Sequence, residues 1–205
     1  MEGKTVIYLA VDGKIAGVIT VADTPRREAR EVVAWLKGRG LRVLMLTGDD
    51  RRTASAIAKR LGIDDVIAEV LPEEKAEKVK ELKREGAVAM VGDGINDAPS
   101  LARADVGIAM GGGTDVAKEA GHMVLVRGGL RGVPAALDIA GAIRKKIRFN
   151  LFWAFVYNVV LIPIAAGLLY PFGVILRPEL AALAMSLSSV SVVTNALSLK
   201  RWKLR

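Results

Sequence analysis

Cysteine is absent from the 205 residues, so neither a disulfide framework nor a thiolate metal site can form within the chain. Histidine occurs once, as His122, and a lone imidazole reads as structural rather than catalytic. The N-terminal run MEGKTVIYLAVDG lacks the long apolar stretch of a secretory leader. No internal repeat and no low-complexity tract is present. Charged side chains are missing from two long stretches, residues 149–176 and 180–199.

Those two stretches resolve a conflict in the composition. The chain is 52% hydrophobic with a mean hydropathy of +0.33, yet 25% of its residues are charged. The apolar residues are therefore concentrated rather than spread. The formal net charge of +8 is localised too: Arg144, Lys145, Lys146 and Arg148 precede the first apolar stretch, and Lys200, Arg201, Lys203 and Arg205 follow the second. These eight residues account for the whole excess. A diffuse basic surface would point to nucleic acid. Basic residues flanking apolar spans point instead to a membrane, with the flanks on the cytoplasmic side, and exclude nucleic acid as the partner.

The N-terminal two-thirds carries α/β signals. Thr5 to Val11 and Lys14 to Val21 are β-rich runs joined by Asp12-Gly13, a tight hairpin turn. Pro25 suits a first helical position, which predicts a helix to Gly38 with Ala29, Val32, Val33 and Leu36 on one face. Strands are predicted at Arg42–Leu46, Asp65–Val70, Ala87–Val91, Val106–Met110 and Met123–Val126. Helices are predicted at Arg51–Leu61 and Glu73–Glu85. This alternation predicts a parallel sheet with right-handed crossovers. From about Leu130 one long helix runs through the basic cluster. Phe149 to Tyr170 is long enough to span, since about 20 apolar residues cross about 30 Å of hydrocarbon. After a turn at Pro171–Pro178, Glu179 to Leu199 spans back.

Two loops at predicted strand ends are loaded with polar groups, where α/β proteins bind ligands. Thr47-Gly48-Asp49-Asp50 offers a hydroxyl to a phosphoryl oxygen, and its glycine permits close backbone approach. The same run also suits a helix cap. Gly92-Asp93-Gly94-Ile95-Asn96-Asp97-Ala98-Pro99 is denser. Two carboxylates four residues apart at a strand end suit Mg²⁺, which takes oxygen ligands and keeps several waters. Between the loops, Leu71-Pro72-Glu73-Glu74-Lys75 opens a helix whose lysine either offsets phosphate charge or is simply solvated.

The order of these motifs resembles the haloacid-dehalogenase-like phosphorylation domain of P-type ATPases, and Gly113-Thr114-Asp115-Val116-Ala117 resembles the segment that follows there. The resemblance implies that Thr47, with Gly48 and Asp49, contacts a transferred phosphoryl group and that Lys75 neutralises it. It implies that Asp93 coordinates Mg²⁺ with Asp97 assisting, that Asn96 lies near the phosphate, and that ATP is the donor. Residues 1–22 then read as the end of a nucleotide-binding domain, 23–128 as the phosphorylation domain, 129–148 as a stalk helix, 149–176 and 177–199 as membrane helices, and 200–205 as a basic cytoplasmic tail. The family's Asp-Lys-Thr-Gly-Thr run, its Cys-Pro-Cys motif and its nucleotide-binding domain, apart from the last strand around Thr5 to Val11, are not in this sequence. The expectation is a C-terminal portion that is inactive by itself, because no aspartyl-phosphate forms without the nucleophile.

The apolar stretches hold polar residues, which are costly in a membrane and usually functional. Ser191 and Thr194 read as helix-packing groups, and Asn195 reads as solvated near the interface. Tyr157-Asn158 with Met185 and Ser189 resembles the copper(I) subgroup of heavy-metal ATPases, and a thioether is a soft ligand suited to copper(I). The resemblance implies that Tyr157, Asn158, Met185 and Ser189 line a transport site completed by cysteines elsewhere in the pump. The expected architecture is thus an incomplete Rossmann-like (haloacid-dehalogenase-like) α/β domain followed by a transmembrane helical hairpin. Its expected partners are the lipid bilayer, copper(I) and the remainder of the pump. Two rivals stand beside it: a membrane-tethered phosphatase using Asp23 as nucleophile, and a non-catalytic metal- or partner-binding chain.

Overall fold

A computed structural model describes residues 5–21, 24–112, 115–173 and 177–201. The chain divides into two compact units, residues 1–134 and 135–205.

In the first unit, β1 (Thr5–Val11) and β2 (Lys14–Val21) pair antiparallel across a turn in which Asp12 and Gly13 both take positive φ. Helix α1 (Ala29–Gly38) buries Ala29, Val32 and Val33 of the stripe expected from the sequence and leaves its fourth member, Leu36, half-buried. It starts later than Pro25 because the Ala29 N–H closes a tight turn onto the Arg26 carbonyl.

Strand β3 (Leu44–Leu46) pairs in parallel with β4 (Asp65–Ile67) around helix α2 (Arg51–Leu61). Strand β4 is shorter than predicted. Glu69 adopts φ 60, a left-handed conformation that turns the chain away from the ladder. Helix α3 (Pro72–Leu82) begins with proline at its first turn, buries Val79, and leads to β5 (Ala89–Gly92). A one-turn 3-10 helix (Ile95–Asp97) and helix α4 (Ala98–Arg103) follow. Then come β6 (Val106–Met110), α5 (Asp115–Ala120) and β7 (Met123–Leu125).

The parallel pairing arrives as two ladders, β3–β4 and β5–β6–β7, rather than as one continuous sheet. Strand β6, flanked on both sides, is buried from Gly107 to Met110, whereas β3 and β5 lie at ladder edges and are only half-buried. Leu101 of α4 and Ala109 of β6 centre the core, with Met90, Ala120 and Val124 packed against them. Gly107 makes this packing possible: a Cβ there would sit 2.3 Å from the Leu101 carbonyl oxygen.

The second unit consists of most of α6 (Gly132–Ala165) and of α7 (Pro178–Leu197). Among the described residues one helix is long and apolar enough to cross a membrane, Gly129–Ala165 counted with the turn that leads into it. The second expected span falls on α7, which is 20 residues long. Asp23, Gly113, Thr114, residues 174–176 of the expected turn, and Lys203 and Arg205 lie outside the described residues.

Candidate functional site

The loop after β3 is both cap and ligand surface. Asp50 caps α2, accepting the N–H groups of Arg52 and Thr53 at 3.0 Å each and the Thr53 hydroxyl at 2.6 Å. The Thr53 hydroxyl, with the backbone donors behind it, holds the Asp50 carboxyl below its ordinary range. The cap reading therefore describes Asp50, while Thr47, half-buried, and Asp49, exposed, lie beside it. Thr47 donates its hydroxyl to Asp49 Oδ2 at 2.8 Å, and the Asp49 N–H donates back to Thr47 Oγ1 at 3.1 Å. The strained Glu69 fixes this loop from below: its N–H donates to the Asp49 carbonyl at 3.0 Å, and its carboxylate accepts the Arg51 N–H at 3.3 Å. The Val70 N–H donates to the Thr47 carbonyl at 3.2 Å. The chain passes directly from there into α3.

Helix α3 connects the two loops. Lys75, in its first turns, reaches Asp97 Oδ1 at 2.9 Å, and both side chains are 16% exposed. Asp97 Oδ2 accepts the Gly94 N–H at 3.3 Å, so both carboxylate oxygens are engaged within the chain. Gly92 is required for this closure, since a Cβ on it would lie 2.8 Å from Asp97 Cβ. Asn96 sits in the same turn. Asp93, at the end of β5, is half-exposed and accepts from Arg26 Nη2 at 3.1 Å. Among the described residues no hydrogen bond or ion pair joins Thr47–Asp49 directly to Gly92–Asp97.

Sequence reasoning missed Arg26 and Glu69. Arg26 meets Asp93 across 67 positions, which no local pattern signals. Glu69 becomes notable only through its backbone angle. His122 matches its structural reading, because its Nδ1 accepts the Gly107 N–H at 2.8 Å.

The donor chemistry fits a Mg²⁺ that takes most of its ligands from water and a substrate phosphate. Asp93 offers an accessible carboxylate at a strand end. Among the described residues no group of three His, Cys, Asp or Glu side chains forms an all-protein cage. In the second unit, Asn158 Nδ2 donates to the Ala154 carbonyl and Ser189 Oγ to the Met185 carbonyl, each within its own helix. Trp153 packs against Tyr157, and Met185 is exposed. The structure does not join Tyr157 and Asn158 to Met185 and Ser189 by any hydrogen bond among the described residues.

A family model for haloacid dehalogenase-like hydrolases matches residues 1–105. The chain belongs to the haloacid dehalogenase-like hydrolase family. This haloacid dehalogenase-like chain is 54% identical over 202 residues to a probable copper-exporting P-type ATPase of Archaeoglobus fulgidus, covering 98% of the chain and 25% of the relative. It is 51% identical to a silver exporting P-type ATPase of Salmonella typhimurium, covering 100% of the chain and 25% of that protein. A solved zinc-transporting PIB-type ATPase in its E2.Pi state superposes with a TM-score of 0.84 at 37% identity, over 97% of this chain and 32% of that one. The chain thus spans about a quarter of the length of the curated relatives it matches.

Proposed function

We propose that the chain is a portion of an ATP-driven copper(I)-translocating P-type ATPase. In this reading it holds the Mg²⁺ and charge-neutralising half of the phosphorylation site, joined to a membrane hairpin formed by α6 and α7. The observation that carries the reading is the half-buried Lys75–Asp97 pair, which anchors an ammonium in the loop Gly92–Pro99. Relatives named as copper exporters, matching nearly the whole chain, support it.

Phosphoryl transfer depends on positioning and charge stabilisation more than on covalent work by the protein. Thr47 turns its hydroxyl from Asp49 to a phosphoryl oxygen. The backbone at Gly48 approaches closely because no side chain intervenes. Lys75 places its positive charge against the phosphoryl oxygens while Asp97 keeps the ammonium in place. Asp93 would hold Mg²⁺, which when bound would neutralise developing charge, and Asn96 would lie near the phosphate. The nucleophilic aspartate comes from the remainder of the pump. In the membrane, Tyr157 and Asn158 of α6 and Met185 and Ser189 of α7 contribute oxygen and thioether donors to the copper(I) path. In this reading the basic flanks of the two spans assign the globular part and the C-terminus to the cytoplasmic side.

The test is copper(I)-dependent phosphoenzyme formation from ATP by the complete pump. Asp93→Asn should abolish phosphorylation at any copper(I) concentration, and Met185→Leu should weaken only the stimulation by copper(I), shifting it to higher copper(I). A pump that phosphorylates normally with Asp93→Asn, or that ignores copper(I), would sink the reading. Phosphatase turnover by the chain alone, lost on Asp23→Asn, would favour the phosphatase rival instead.

A further inference from the structure

The second unit carries a cluster of positive charge that the chemistry above does not use. Arg144, Lys145 and Arg148 of α6 are exposed, and so is Lys200 beyond α7. Lys146 lies among them, half-buried, donating to Asn195 Oδ1 and to Ser198 Oγ at 2.7 Å each. Asn195 Nδ2 donates in turn to Asn150 Oδ1 at 2.6 Å. Asn195, expected to be solvated, instead bridges the two helices. These bonds bring the end of α7 beside residues 146–150 of α6, so the basic residues of both helices collect at one level.

Residues 135–205 carry only two acidic residues, Asp138 and Glu179, and neither falls within the basic cluster. Residues 139–176 and 180–205 contain no aspartate or glutamate. Among the described residues Arg144, Lys145, Arg148 and Lys200 have no hydrogen-bond or ion-pair partner, and the Lys146 bonds run to neutral oxygens. An ammonium has three donors, and those two bonds use two of them. Exposed apolar side chains lie alongside: Ile147, Phe149, Leu151 and Phe152 of α6, and Leu197 of α7. A soluble polyanion would satisfy the charges and leave this apolar belt in water. A phospholipid satisfies both, with its phosphate on the cations and its chains on the belt.

We propose that this corner of the helix pair is a selective site for the phosphodiester headgroup of anionic glycerophospholipids. Arg144, Arg148 and Lys200 supply the charge, and Lys146 with Asn195 and Asn150 holds the two helices in register. The proposal rests on the membrane reading and is independent of copper transport. Juxtamembrane basic residues at an anionic surface support a preference of about threefold to tenfold over a zwitterionic lipid.

The chain is reconstituted into phosphatidylcholine vesicles in which brominated phosphatidylglycerol or brominated phosphatidylcholine replaces part of the lipid. Quenching of tryptophan emission, with Trp153 in α6 as reporter, gives the relative association of the two lipids. The expected result is an anionic preference of about threefold to tenfold at low salt that collapses toward one near molar salt. The triple variant Arg144→Gln, Arg148→Gln, Lys200→Gln should lose the preference while brominated phosphatidylcholine still quenches, which shows that the helices remain inserted. Equal quenching by both lipids in the native chain, a preference indifferent to salt, or a preference retained in the triple variant overturns the proposal. No quenching by either lipid would remove the membrane reading itself.

Discussion

Replacing Lys75 by methionine keeps most of the side-chain volume and removes the charge that faces Asp97. The pair is 2.9 Å apart with each side chain 16% exposed, so it lies between two limits. Exposed ion pairs contribute about 0–1 kcal/mol. Breaking a fully buried pair costs about 3–5 kcal/mol, mostly from the stranded partner. Here Asp97 keeps the Gly94 N–H on its second oxygen, so the stranded carboxylate is partly satisfied. A cost of about 1–3 kcal/mol follows from interpolating between these limits. Asp97→Asn should cost less, because an amide oxygen still accepts from Lys75. The coupling in a double-mutant cycle isolates the pair and is expected at about 1–2 kcal/mol. The assay is urea unfolding of the chain in detergent, followed by the fluorescence of Trp35 in α1. A coupling below about 0.5 kcal/mol would mean that the pair behaves as a surface contact, and the site would then lack the anchored ammonium on which the functional reading depends.

Other outcomes follow from neighbouring residues. Gly92→Ala places a methyl against Asp97 Cβ, so it should destabilise the chain by about 1–3 kcal/mol in the same unfolding assay and also weaken Mn²⁺ binding. Asp50→Ala should lower the unfolding midpoint by uncapping α2. The pH dependence has a definite sign. Because the folded-state pKa of Asp50 is lowered, its contribution is complete above the ordinary value of 3.8 and is lost as pH falls below that toward the depressed value. An acid melting series should therefore show native and Asp50→Ala chains converging only below that pH. Arg26→Gln removes a cation that competes for Asp93, so Mn²⁺ binding followed by electron paramagnetic resonance should tighten by about twofold to fivefold. Unchanged binding would show that Arg26 is not a competitor at Asp93.

Much of the architecture was legible from local pattern. The 51–61 helix was read with both its boundaries, because Asp50 and Gly62 are a cap and a left-handed stop whose chemistry is local. The hairpin at Asp12-Gly13 and the strand at 106–110 were equally plain. The 65–70 strand was overextended because its end depends on Glu69, whose positive φ is held by Asp49, twenty positions earlier in the chain. Asn195 was misread because its partners, Lys146 and Asn150, lie on the other helix.

The sequence by itself determined the element order, the loaded loops at Thr47–Asp50 and Gly92–Pro99, and the concentration of apolar residues and basic flanks at the C-terminal end. These follow from side-chain periodicity, from turn sterics and from solvation, all of which act over a few residues. Only the tertiary structure decided that Lys75 anchors on Asp97, that Arg26 reaches Asp93, and that the parallel strands form two ladders. Such pairings join residues brought together by crossovers, and the chemistry of a lysine or an aspartate does not encode which distant partner the fold will present to it.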